Sequence, residues 1–411
     1  MMRISQKEQD YVLEVLNSQF RSSKGSVMTQ RLEQAFAEKF NVRFAIAHVN
    51  GTATLHAALV AAGVGSGDEV IVPQLTMAST SLAVLHANAV PIFADVDPRT
   101  FTLDPNSIKR VLTERTKAIM PVALYGLSAD MDPIMRIAEE NELAVIEDDA
   151  ECFLGQYKGR IVGTIGHLSS FSFQSSKHMT SGEGGMLITN DEGLAERVRR
   201  FSSLGYAAVG AGQGKITRET IQDPNYARHI SIGWNYRMPE LCAAVALGQL
   251  ERLEELVERR IRIAKLYAEV ARGCDWLTPQ FVPESYAHSY WTYVLKLEDT
   301  ADLSWHDFRS KYRELGGDGI YAAWRVTYLE PAFRGLPLYP AGQADSKVQK
   351  YAPGLCPVAE SLQSRLLQLK TNYMDISKAE RQAEILHGTI TYFEGRQAKR
   401  VRRDFASFGR I

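Results

Sequence analysis

The chain has 411 residues, 45% of them hydrophobic and 23% charged, with a formal net charge of −1. That is an ordinary globular composition, long enough for more than one core, and its near-neutral balance gives no electrostatic case for nucleic acid as the main partner. No run of about 18 apolar residues is present to span a membrane, and the polar start MMRISQKEQDYVLEVL lacks the apolar core of a secretory signal.

In chain order, residues 5–42 read as two helices. The second, TQRLEQAFAEKFN, places Leu32, Ala35, Phe36 and Phe40 at helical spacing. A short strand, FAIAHV, leads to NGTATLHAALVAAG, a turn opening a helix that Gly63, Gly65 and Gly67 close before the strand EVIVP. Then come the helix SLAVLHANA, the strand PIFADV, a helix near Pro105–Leu112, the strand AIMPVAL, the helix DPIMRIAEENE and the strand AVIED. Strands and helices alternating at this pace predict crossover units and a mostly parallel sheet covered on both faces.

The run FSFQSSKHMTSGEGGM (171–186) reads as a serine-rich strand delivering Lys177, then a turn built on Gly182, Gly184 and Gly185, before the apolar MLITND. Between Tyr206 and Ile230 the pattern breaks into a polar, Gly-rich excursion, of a length that is often functional in a compact domain. PELCAAVALGQLERLEELVERRIRIAKLYAEVA reads as one long helix or two, apolar first and amphipathic after. From about Cys274 onward, strand-like SYWTYVLKL, helical WHDFRSKYRELG and strand-like LLQLKTNY describe a smaller α+β unit. The tail GRQAKRVRRDFASFGRI is basic and reads as a solvated end. Cys152, Cys242, Cys274 and Cys356 lie far apart, without the paired spacing of a zinc site or redox pair. They fit thiols in a reducing compartment, which makes the cytoplasm the expected location, with no metal site.

Three features carry chemistry only in combination. A lysine between serines is by itself usually just solvated. Asp148 closes the strand AVIED, and parallel sheets place their sites beyond the carboxyl ends of strands, although a lone acid there is as often a helix cap. Asn50–Thr54 forms a strand-to-helix turn whose backbone N–H groups and helix dipole suit a phosphate. A lysine, an acid and an anion-binding turn are the parts that hold pyridoxal phosphate. The amine forms an imine with the aldehyde, the carboxylate keeps the pyridine nitrogen protonated so that the ring accepts electrons, and the helix start holds the phosphate.

The motifs VNGTATLHAAL, GSGDEVIVPQLTMAST, IFADVDPRTFTLDP, VIEDDAECFLGQYKG, FSFQSSKHMTSGEGGMLITND and GWNYRMPELCAAVALGQLERL occur in that order. Over about residues 10–375 the chain resembles the DegT/DnrJ/StrS sugar aminotransferases. The resemblance implies an α/β, fold type I, aspartate aminotransferase-like architecture. Residues 1–255 would form the large domain, with N-terminal helices and a mainly parallel seven-stranded sheet. Residues 256–395 would form the small α+β domain and 396–411 the basic tail. It also implies a homodimer with active sites shared between subunits.

Carried over by position, the resemblance makes Lys177 the imine lysine and proton carrier and Asp148 the pyridinium partner. Ser172 would bind phosphate through its hydroxyl, Thr52 and Ala53 through backbone N–H groups, and Asn235 from the neighbouring subunit. Met77 stands where many relatives have an aromatic residue stacked on the cofactor ring, and a thioether also packs on a π-face. Glu151 stands where glutamine or histidine is usual near the cofactor hydroxyl; it would alter the ring's protonation or turn outward.

For the substrate, Arg237 and Arg325 each match a carboxylate or phosphate, and each equally matches a structural ion pair. GGDGIYAAWRVTYLEP offers Tyr321, Trp324 and Tyr328 to a sugar pocket, though aromatics at these spacings more often belong to a core. His178 is assigned no role, because adjacent side chains on a strand face opposite ways.

The function expected is transfer of an amino group from glutamate or glutamine to a keto or aldehyde sugar in bacterial amino-sugar or lipopolysaccharide synthesis. The acceptor would be a nucleotide-linked keto sugar, a sugar acid such as an 8-oxo octulosonate, or a keto-inositol. The alternatives are dehydration or aromatisation, as in aminohydroxybenzoate synthase relatives, and a regulatory or scaffold protein that binds the cofactor without turnover.

Overall fold

The computed structural model describes residues 2–20, 27–212, 219, 222–336 and 349–408, with side chains described to residue 395. Helix α1 (Gln6–Asn17) starts on a capping box between Ser5 and Glu8 and, with α2 (Val27–Phe40), leads to β1 (Phe44–His48). There follow α3 (Gly51–Ala61), β2 (Glu69–Val72), α4 (Ser79–His86), β3 (Val90–Phe93), α5 (Pro105–Val111), β4 (Thr116–Ile119), α6 (Met131–Glu140) and β5 (Ala144–Asp148). Two short strands, β6 (Gln156–Tyr157) and β7 (Arg160–Ile161), precede β8 (Leu168–Ser172), β9 (Gly185–Thr189) and α7 (Glu192–Phe201).

The central sheet has seven strands in the order β1-β9-β8-β5-β4-β2-β3. Strands β3, β2, β4, β5 and β8 pair in parallel, and only β9 runs against both its neighbours, β8 and β1. Strands such as EVIV and VPIF are buried at every position, as helices on both faces of a parallel sheet require. The strand expected across AIMPVAL stops at Ile119, because Pro121 has no N–H with which to continue the ladder.

The long helical run is two helices, α8 (Glu240–Leu250) and α9 (Leu253–Ala271), parted at Glu251 and Arg252. The first packs on α1 and α2. The second joins two cores. Its Leu253, Leu256 and Val257 pack with Leu32, Phe36 and Phe171, whereas its Ile263, Ala264 and Tyr267 pack with Leu295, Phe308 and Leu369. The later core is built on an antiparallel sheet ordered β10 (Leu277–Pro279), β12 (Thr292–Leu297), β14 (Leu366–Lys370) and β13 (Tyr321–Ala322). Strand β11 (Tyr286–Ala287) instead pairs with β6. Helices α10 (Trp305–Glu314), α11 (Pro357–Gln363) and α12 (Ile376–Phe408) complete the chain.

Helix α12 runs into the expected basic tail, whose side chains from 396 lie outside the described residues. Part of the 206–230 excursion (213–218, 220 and 221) does so too. Its two ends are joined where the Ala207 N–H donates to the Arg228 carbonyl.

Candidate active site

Strands β1, β2, β5 and β8 point their carboxyl ends to one edge of the sheet. A cavity of about 420 Å³ opens there, lined among others by Thr52, Met77, Asp148, Glu151, Ser172 and Lys177. Ala53, Asn235, Arg237, Tyr321 and Arg325 do not line it within one chain. Asn235, Arg237, Tyr321 and Arg325 are exposed. Of the aromatic trio near residue 324, Trp324 lines the cavity, whereas Tyr328 is fully buried in the core and hydrogen-bonded to Glu360.

Strand β8 ends at Ser172, five residues before Lys177, so the lysine is carried by a turn and not by a strand. Its N–H donates to the Gln174 carbonyl at 3.0 Å. The alternation argument for His178 therefore does not apply. That imidazole is buried, its Nε2 stands 2.9 Å from the Ser289 carbonyl, and burial with the nearby Arg260 charge holds it neutral.

Lys177 Nζ lies 3.2 Å from Glu151 Oε1 and 4.5 Å from the centre of the Trp291 ring. Glu151 points inward: its side chain is 5% exposed, and its other oxygen accepts the Tyr125 N–H at 3.0 Å. Tyr125 holds that N–H in place from a left-handed backbone conformation, φ 63°, which is costly for a non-glycine residue. Burial pushes the Glu151 carboxyl up from its ordinary range, and the Lys177 charge and the Tyr125 N–H pull against that shift.

Asp148 is also buried. It accepts the Thr80 hydroxyl at 2.7 Å on one oxygen and the Ala150 N–H at 3.3 Å on the other. Burial raises its pKa, while the Thr80 hydroxyl, the Ala150 N–H and the Lys177 charge oppose the rise. A cation brought against this carboxylate would complete the compensation that burial demands.

The turn expected to bind an anion is formed where Asn50 caps α3 by accepting the Ala53 N–H at 2.8 Å. Ala53 is thus already satisfied by its own chain. The Gly51 and Thr52 N–H groups, without partners among the described residues, are the donors left to meet an anion. The turn fits tightly against the sheet. A Cβ on Gly51 would stand 2.9 Å from Ser172 Cβ, and one on Gly185 would stand 2.7 Å from the Asn50 backbone.

Two free N–H groups at a helix start, the Ser172 hydroxyl, a buried carboxylate and a half-buried lysine around one cavity fit pyridoxal phosphate. Gly51, Thr52 and Ser172 would hold the phosphate, Asp148 the ring nitrogen and Lys177 the aldehyde. Bound there, the cofactor supplies an electron sink for a carbanion. The protein's part would be to anchor the phosphate, to keep a negative charge at Asp148, and to move a proton with the Lys177 amine beside Glu151. Among the described residues, no cluster of His, Cys, Asp and Glu is arranged to hold a metal, and no helix is long and apolar enough to cross a membrane.

The family model of the DegT/DnrJ/EryC1/StrS aminotransferases matches residues 2–386. The chain belongs to this family. It is 42% identical over 297 residues to the GDP-perosamine synthase of Caulobacter vibrioides, covering 72% of this chain and 76% of that one. With the GDP-perosamine synthase of Escherichia coli O157:H7 it shares 40% identity over 363 residues, 88% of this chain and 90% of that one. Its fold superimposes on the aminotransferase of Psychrobacter cryohalolentis with a TM-score of 0.82 at 31% identity, covering 95% and 98% of the two chains. The family consists of pyridoxal-phosphate-dependent aminotransferases, and this chain is an enzyme of that class with the α/β fold common to them.

Sequence reasoning passed over Thr80, Trp291 and Arg260. Thr80 had a signal of sorts, a hydroxyl in a helix that starts at the carboxyl edge of the sheet. The other two meet Lys177 only through distant folding of the chain.

Proposed function

We propose that this aminotransferase uses pyridoxal phosphate bound at Lys177 to move an amino group from glutamate or glutamine to a nucleotide-linked keto sugar in bacterial amino-sugar synthesis. The likeness to GDP-perosamine synthases over most of the chain carries the choice of acceptor. Around the reacting end the lining suits an uncharged sugar ring, because among the described residues Lys177 is the only cationic side chain there; the diphosphate of a nucleotide-linked sugar would lie beyond these residues. Trp291 and Trp324 stack at 5.7 Å along one wall and offer a sugar ring an apolar face.

The intact Lys177 favours transamination over dehydration, and the buried Asp148 favours turnover over a scaffold role. On this reading the protein is cytoplasmic. Residues 1–255 are the cofactor-binding domain and 256–395 the smaller one. A homodimer completes the site: beside Asn235 the chain exposes Ile230, Ile232 and Trp234 at 55%, 89% and 53%, an apolar patch suited to a second copy.

The test is the visible spectrum of the purified protein with pyridoxal phosphate, followed on adding glutamate, then glutamine. A cofactor band that bleaches with one donor and returns with a nucleotide-linked keto sugar establishes both halves of the reaction. Return only with a keto-inositol moves the acceptor class, and a band unmoved by either donor refutes the proposal. Dimers mixed from Lys177→Ala and Asn235→Ala chains should carry one intact site each and recover activity. Heterodimers without activity would refute site sharing.

A further inference from the structure

Arg260 is buried in the middle of α9, at 4% exposure, between the two cores that the helix joins. A buried guanidinium is ordinarily matched by a carboxylate. Arg260 is matched instead by carbonyl oxygens. Its Nη2 donates to the Ser176 and Lys177 carbonyls, both at 2.7 Å, and its Nη1 to the Trp291 carbonyl at 2.7 Å and to Thr371 Oγ1 at 3.2 Å. Trp291 Nε1 adds a bond to the Ser176 carbonyl at 3.1 Å, and Arg3 Nη2 adds one to the Lys177 carbonyl at 3.0 Å. Thr371 in turn donates to the Tyr290 and Trp291 carbonyls.

From these contacts we infer that Arg260 is a positioning residue for Lys177. Its planar fork ties the two carbonyls of the lysine turn to the chain entering β12 and the chain leaving β14. The inference rests on the reading of Lys177 as the cofactor lysine.

The geometry explains why an arginine stands here. Lys177 is carried by a turn, which by itself allows the side chain a range of directions, while the reaction needs the amine at one point in the cavity. Two carbonyls held by charge-assisted bonds remove that freedom. The same guanidinium fixes the main chain of Trp291, whose ring lies over the Lys177 amine, so amine and ring are set by one group. A lysine at 260 would bring three donors to a single point and could not span these acceptors. Burial and the charge of Arg3 lower the Arg260 pKa to about 9, which is the cost of placing a cation in the core without a carboxylate bonded to it, while the Glu151 charge pulls it back up.

The test compares wild type, Arg260→Lys and Arg3→Ala for three quantities: the rate at which the visible cofactor band forms on the apoprotein, kcat per band-bearing site, and KM for the amino donor. For a folded Arg260→Lys protein, band formation and kcat should fall about 10- to 100-fold, the scale of an ångström of misplacement, with the donor KM unchanged. Arg3→Ala removes one bond to the Lys177 carbonyl and should move kcat in the same direction by a smaller factor. A folded Arg260→Lys protein with wild-type band formation and kcat overturns the inference. So does one whose lost activity merely tracks the fraction unfolded. If Arg260→Lys does not fold, Arg3→Ala decides: a lowered kcat at unchanged KM supports the role, and an unchanged kcat overturns it. A wild-type chain that forms no band overturns the reading of Lys177 as well, which separates the two failures.

Discussion

The pair of Lys177 and Glu151 allows a quantitative test on the cofactor-free protein. The two charged atoms are 3.2 Å apart, with the side chains 12% and 5% exposed, so water screens them little. Replacing Glu151 by glutamine keeps the shape and leaves the largely enclosed Lys177 cation with only the Asp148 charge to answer it, which costs about 1–3 kcal/mol. Replacing Lys177 by alanine leaves Glu151 buried beside Asp148 without the cation, and burial already favours its neutral form, so that loss should be smaller. The double variant has neither charge and should be more stable than the sum of the two losses allows. The assay is urea unfolding of the four cofactor-free proteins at pH 8, read as a double-variant cycle. A coupling of about 2 kcal/mol is expected, and additivity to within about 0.5 kcal/mol would refute the idea that the two groups pair in the folded chain.

Three further outcomes follow from the same geometry. Gly51→Ala brings a Cβ to 2.9 Å from Ser172 Cβ, where ordinary contact begins at 3.4 Å. The turn proposed to hold the phosphate must therefore shift, and affinity for pyridoxal phosphate should fall about 10-fold; an unchanged affinity in a spectral titration would refute the close approach. Thr80→Ala takes one hydrogen bond from the buried Asp148 and raises its pKa further. If, as proposed, the ionised carboxylate is the working form, the acid limb of the kcat profile should move to higher pH with a loss of about 1–3 kcal/mol in transition-state stabilisation; superimposable profiles would show that Thr80 does not support Asp148.

Asp149 is buried with one oxygen unpartnered, and burial beside Glu147 and Asp148 pushes its pKa well above the ordinary 3.8. A raised carboxyl pKa means that the folded chain binds the proton more tightly than the unfolded one. Its contribution is full below about pH 3.8 and is lost as pH rises through the folded value. Asp149→Asn lacks that loss, so its Tm relative to wild type should improve as pH rises from 4.5 to 8. Parallel Tm curves would count against it.

Much of the fold was legible because its determinants are local. EVIV, VPIF and AVIED are short apolar runs at regular spacing between amphipathic helices, and that pattern permits little besides a buried parallel sheet. The six ordered motifs likewise pointed to Lys177, Asp148 and Ser172 as residues of one site. What the sequence misjudged was local structure set by partners elsewhere: Lys177 was placed on a strand that ends at Ser172, because a serine-rich run looks extended until the turn's own hydrogen bonds are seen.

The rest required the tertiary structure. Thr80 reaches Asp148 across 68 residues, Arg260 reaches Lys177 across 83, and Trp291 reaches Ser176 across 115. No periodicity or motif encodes a contact at such separations. The inward turn of Glu151 depends on a left-handed Tyr125 whose N–H anchors it, and the Ala53 N–H is taken by the side chain of Asn50. From the sequence, residue type, strand position and the family motifs together propose which groups carry the chemistry. Which direction each group faces, and what holds it there, is decided by burial, since only the folded core makes an unmatched charge costly enough to fix its partner.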